Sequence, residues 1–133
     1  MELVKVVVRY SDGRVAKGST QDFSPNKDHF HLSTNEESSG KTIKVFIKEL
    51  KAVILVRDFM GNSLYHERKE YLSGEKPIGQ RVKVTFLDGE MLVGSTLGYD
   101  PKQYGFFFTP ADPKSNNIRI FAVSTSIKHV MFQ

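Results

Sequence analysis

His29 and His31 stand two residues apart, a spacing that on a strand turns both imidazoles to one face and could offer a metal two nitrogen ligands. Nothing nearby completes a ligand set, and in the matching stretch late in the chain the two positions are Gly105 and Phe107, so neither a metal nor another cofactor is expected. Asp112, Ser115, Asn116 and Asn117, followed by Arg119, gather carboxylate, hydroxyl, amide and guanidinium groups within a few residues, which suits contact with a polar ligand. The same Asp, Ser, Asn and Pro mixture also makes turns through side-chain to backbone bonds. Lys27, Lys102, Lys114 and Arg119 could contact phosphate, and the loop ring Tyr104 could stack on a base. His66 and His129 are isolated and no Ser, His and acid trio stands in a recognisable context, so no enzyme is expected.

The elements that must position these groups are written twice. Shifted by 76 residues without a gap, Lys5 to Leu32 matches Arg81 to Phe108, with Val6/Val82, Val8/Val84, Asp12/Asp88, Gly13/Gly89, Gly18/Gly94, Ser19/Ser95, Thr20/Thr96, Pro25/Pro101 and Phe30/Phe106 identical. A repeat of this length predicts two copies of one structural unit. Val82, Val84 and Phe86 alternate with Arg81, Lys83 and Thr85, as Val4, Val6, Val8 and Tyr10 stand against Lys5 and Arg9, which is the period of a strand with one buried face. Asp12-Gly13 and Asp88-Gly89 then supply the backbone freedom of a tight hairpin turn.

A second strand follows in each copy, Arg14 to Phe23 and Glu90 to Tyr99, with Gly18 or Gly94 inside it as a point for a sharp bend. Short aromatic strands come next, His29 to Leu32 and Phe106 to Phe108, and then Thr42 to Ile47 and Ile118 to Val123. Ala52 to Arg57 and Lys128 to Phe132 close the copies. The expectation is an all-β chain, a tandem repeat of two small five-stranded barrels of Sm-like or SH3-like kind, since closure removes exposed edges. The first barrel takes residues 1–58, a connector takes 59–79, and the second barrel takes 80–133. Units so small are marginal alone, so they should pack on each other or on another chain. The polar stretches 35–40 and 110–117 read as equivalent loops, and Asn62 could cap a short helix in the connector. Of the three consecutive rings Phe106, Phe107 and Phe108, one set must face away from its own barrel, toward the other unit, a partner or a base.

Composition bounds the rest. The 133 residues are 39% apolar and 26% charged, an ordinary globular balance, and the net charge of +4 is spread along the chain without a basic arm. No apolar run reaches the roughly 20 residues of a membrane helix, and the first residues lack a secretory pattern, so a cytoplasmic protein with no membrane partner is expected. The chain has no cysteine, hence no disulfide or thiolate metal site.

Val84 to Asp88-Gly89, the bend at Gly94 and the run Gly98-Tyr99-Asp100 resemble the first motif of Sm-like RNA-binding proteins, which implies a small bent barrel and an RNA-binding ancestry. The asparagine and the Arg-Gly pair with which that family grips RNA are replaced here by Gln103-Tyr104-Gly105 and Ala122-Val123-Ser124. Leu50-Lys51-Ala52-Val53, Arg57-Asp58-Phe59-Met60-Gly61-Asn62, Gly98-Tyr99-Asp100-Pro101-Lys102 and Pro110-Ala111-Asp112-Pro113-Lys114-Ser115-Asn116-Asn117 are similar to a family of uncharacterised bacterial proteins and domains. Asp22-Phe23-Ser24-Pro25-Asn26-Lys27 resembles half of the PilZ motif, which implies cyclic dinucleotide sensing through Asp22, Ser24 and Asn26, with Lys27 in place of that motif's glycine. The expectation is a non-enzymatic interaction module that binds a protein partner or itself. RNA or single-stranded nucleic acid is the alternative ligand, and a cyclic dinucleotide the lesser one.

Overall fold

The computed structural model describes residues 3–34, 42–59 and 70–133. The first half carries β1 (Val4–Tyr10), β2 (Val15–Thr20), β3 (His29–Ser33), β4 (Thr42–Phe46) and β5 (Leu50–Val56). The second half carries β6 (Gln80–Phe86), β7 (Met91–Thr96), β8 (Gly105–Pro110), β9 (Asn117–Val123) and β10 (Ile127–Phe132). Single 3-10 turns at Ile47–Glu49 and Ser124–Ser126 lead into β5 and β10. Among the described residues there is no α-helix, and so no helix long and apolar enough to cross a membrane. The loop expected at 35–40 and the helix cap expected at Asn62 lie outside the described residues.

Local chemistry sets the hairpins. Gly13 and Gly89 take φ of 98° and 92°, a region in which a side chain is strained. Asp12 and Asp88 each accept a hydrogen bond at 3.0 Å from the backbone N–H two residues on. Past the hairpin the sheet bends sharply: β2 pairs with β3 only at Ser19↔Ser33, and β7 with β8 at Gly94↔Pro110 and Ser95↔Thr109. Gly94 makes this crossing possible, since a Cβ there would run into the Thr109 carbonyl and the Phe108 ring.

The ten strands form one antiparallel sheet in the order β10-β6-β7-β8-β9-β5-β1-β2-β3-β4, which does not close. This corrects the expectation of two separately closed barrels. The halves are joined by β5 and β9, which pair through Ala52↔Ala122, Val53↔Phe121 and Ile54↔Ile120. The cause is legible in side chains: Ala52 to Val56 and Ile120 to Val123 are uninterrupted apolar runs, and a strand apolar on both faces must lie between two cores. One core gathers Val6, Val8, Phe30, Leu32, Val45 and Val53 with Phe121 and Val123 from the second half. The other gathers Val82, Val84, Phe86, Phe106 and Phe108 with Ala52, Ile54 and Val56 from the first. Each half therefore completes the interior of the other.

Within the halves the strand order is the same, β5-β1-β2-β3-β4 against β10-β6-β7-β8-β9. Equivalent positions stay 76 apart through β8 and then slip by one residue. Phe30 pairs with Val45 whereas Phe106 pairs with Ala122, and Val8 pairs with Val53 whereas Val84 pairs with Val130. A slip of one residue exchanges the faces of a strand. It turns Phe121 and Val123 across the junction into the first core and keeps Ile120 and Ala122 for the second.

Candidate binding surfaces

The polar loop after β8 is a fastening. Asp112 and Ser115 are buried; Asp112 Oδ1 accepts from the Lys114 backbone N–H at 2.9 Å, and Ser115 Oγ accepts from the Asn117 N–H at 2.9 Å. The Asn116 amide clasps the end of β5, accepting from the Asp58 N–H at 3.0 Å and donating to the Asp58 carbonyl at 2.9 Å. Arg57 donates from Nε to the Ser115 carbonyl at 3.1 Å. Hydrogen bonds of Asp112, Ser115 and Asn116 thus hold the loop and tie the halves together, the turn-building role of these residue types.

A second tie was missed by sequence reasoning. Lys51, inside the apolar strand β5, is buried and reaches Asp88 at 2.6 Å and Glu90 at 2.5 Å on the β6–β7 hairpin, while Arg9 meets Glu90 at 2.9 Å. The hydrogen bond from Lys51 holds the Asp88 carboxyl below its ordinary range. Burial pushes Glu90 up, but Lys51 and Arg9 outweigh it and the net shift is downward. The signal in the sequence is a lone lysine in a strand otherwise buried on both faces, which must find counter-charge.

Two concave surfaces occupy the same place in the two halves. In the first, Ser19, Gln21, Asp22, His31, Ser33 and Thr42 line a groove of about 330 Å³. Its centre is a hydrogen-bonded pair: His31 Nδ1 lies 2.6 Å from Asp22 Oδ2, and the His31 backbone N–H donates to Asp22 Oδ1 at 2.9 Å. Burial pushes Asp22 up, but the hydrogen bonds from His31 and Thr20 prevail and hold its carboxyl at about 2. His29 pairs separately with Asp28 at 2.7 Å. No group of three or more potential metal ligands occurs among the described residues.

In the second half the counterparts Leu97, Phe107 and Arg119 replace Gln21, His31 and Thr42, and with Tyr71, Ile78 and Pro110 they line a cleft of about 400 Å³. The Arg119 guanidinium lies over the Phe107 ring at 4.0 Å, and the other side of that ring meets Phe121 and Phe23. Phe107 is therefore the outward ring of the aromatic strand, placed at the junction of the halves. Lys102 and Tyr104 come together elsewhere, with Lys48 and Thr125 around an open depression of about 570 Å³. Lys27 sits in the turn of the first half that corresponds to the Lys102 turn, and Lys114 is exposed on the fastening loop. The sequence-derived candidates thus divide between a structural loop (Asp112, Ser115, Asn116, Asn117), a cleft (Arg119) and a depression (Lys102, Tyr104). Ser24 Oγ accepts from the Asn26 N–H at 3.4 Å, and Asp22 is held by the His31 backbone.

The model of a family of unknown function, DUF6982, matches residues 3–132. The chain belongs to that family. No curated protein and no solved structure matches it. In this DUF6982 chain, stretches likened to an uncharacterised family, Arg57-Asp58 and Asp112 to Asn117, are the two sides of one fastening between the halves, which gives them a structural reason to occur together.

Proposed function

We propose that the chain is a non-enzymatic recognition module built by duplication of one small Sm-like five-stranded unit, and that it associates with itself or a protein partner through strand edges. The observation that carries this reading is the sheet order. The junction pairs the fifth strand of the first half with the fourth of the second, which leaves the complementary pair, β4 and β10, at the two outer edges. No described strand covers either edge, and an uncovered edge is a template for another chain. Ile43 on β4 and Met131 and Phe132 on β10 are exposed apolar side chains on those strands.

The edges are not copies of the buried junction. Lys44 and Phe46 stand where β9 has Phe121 and Val123, and His129 and Met131 stand where β5 has Ala52 and Ile54. More polar edges pair more weakly, so the association is reversible and depends on concentration. Sedimentation velocity across a concentration series tests it: the weight-average coefficient should rise with concentration and fall back in Ile43→Lys and Met131→Lys. A single 15.1 kDa species at every concentration that also retains no purified partner refutes the reading.

A second reading, binding of single-stranded nucleic acid, is favoured by the meeting of Lys48, Lys102 and Tyr104 around one depression. Titration with labelled single-stranded RNA and DNA at two salt concentrations tests it. Phosphate contacts require affinity that drops steeply with salt, and absence of binding at low salt removes the idea.

A further inference from the structure

The duplication left two grooves at one position in the fold and gave them opposite chemistry. The first is polar and centred on the Asp22–His31 pair. The second has an apolar floor of Phe107 and Pro110, and its rim residues Ile78 and Leu97 are each 84% exposed. Among the described residues Arg119 makes no hydrogen bond or ion pair; its guanidinium lies over Phe107 and the residue is exposed, so its N–H donors are open to a ligand. Lys76 adds a second cation to the lining and Glu75 one carboxylate, so the cations are in excess.

A stacked guanidinium with a free edge is a fork for a carboxylate, and an apolar floor beside it takes the bulky side chain next to that carboxylate. The two most exposed side chains lie on the rim, so the occupant must reach past the floor to cover them, as an extended chain does. We propose that the second groove binds an acidic, apolar peptide segment, with the carboxylate on Arg119 and a leucine-like or aromatic side chain over Phe107 and beside Leu97. The first groove offers the same segment no cation, since Thr42 stands at the Arg119 position and the Asp22 carboxylate lies beside it. This proposal is independent of the sheet edges.

The test is fluorescence anisotropy of the intact chain with labelled, C-terminally amidated peptides. The probes are Gly-Ser-Gly-Leu-Leu-Asp, the uncharged Gly-Ser-Gly-Leu-Leu-Asn and the non-apolar Gly-Ser-Gly-Ser-Ser-Asp, with N-acetyl-leucine and a single-stranded RNA as competitors. The first peptide should bind at least about tenfold more tightly than the other two, the difference expected of one charge-assisted contact or one buried side chain. Arg119→Gln and, separately, Leu97→Ser should each remove about tenfold in affinity while circular dichroism and thermal midpoint stay near those of the parent. Arg14→Gln, at an exposed residue of the β1–β2 hairpin, should leave binding unchanged. Equal affinity for the three peptides, no binding of the first, or indifference to both Arg119→Gln and Leu97→Ser overturns the proposal. So does competition by N-acetyl-leucine at equal strength, which assigns the cleft to small carboxylates, or by RNA, which assigns it to nucleic acid.

Discussion

Asp22 shows how a residue is committed by its neighbours. Its carboxyl accepts from the His31 ring, the His31 backbone and Thr20, and is held at about 2 against an ordinary 3.8. A carboxyl whose pKa is lower in the folded chain binds protons more readily once unfolded, so its contribution to stability is complete above about pH 4 and is lost as pH falls toward 2. Urea unfolding between pH 5 and 2 should show this loss, and Asp22→Asn should flatten the slope in that window. A variant with the parent's pH profile would show that the pair does not couple to folding. The sequence placed Asp22 in a motif likeness and His31 in a candidate metal pair. It held no direct sign of their meeting, because they come from opposite sides of a turn and one register brings them together.

At the scale of elements, most of the sheet was readable and the junction was not. Period-two alternation marked β1 and β6, Asp-Gly marked both hairpins, and interior glycines marked both bends. The bends offer a matched pair of substitutions. Gly94→Ala places a Cβ against the Thr109 carbonyl and should cost about 1–3 kcal/mol, the usual range for overpacking. Gly98→Ala, with open space around the added carbon, should leave the denaturation midpoint nearly unchanged. Equal effects would mean that the crossing of β7 and β8 is not closely packed. What sequence reasoning passed over was the lack of alternation in Ala52 to Val56 and Ile120 to Val123. It was read as ordinary strand, yet it states that both faces are dry, and that requires a neighbour on each side. The one-residue slip after β8 could not be read at all, because the gap-free match between the copies ends at Phe108, ahead of the loop where the register changes.

The whole molecule follows from those two strands. With Phe121 and Val123 in one core and Ala52, Ile54 and Val56 in the other, neither half encloses a complete interior of its own. Residues 1–58 and 80–133 expressed separately should each lack a cooperative thermal transition and should regain β-sheet signal when mixed. Independent cooperative folding of either piece would restore the two-barrel picture. The candidate sites follow the same logic: the fastening loop and the Lys51 cluster hold the halves together, which leaves the clefts and the edges as the candidates for binding. Both edges are basic, with Lys44 on β4 and Lys128 and His129 on β10, so salt should promote edge pairing by screening like charges, whereas it would weaken any grip on phosphate.

Sedimentation velocity of the intact chain over a wide concentration range, at low and at high salt, tests the central claim most directly. Association through β4 and β10 predicts a coefficient that rises with concentration, rises further with salt and is lost in Met131→Lys. A monomer unchanged across concentration and salt would contradict it.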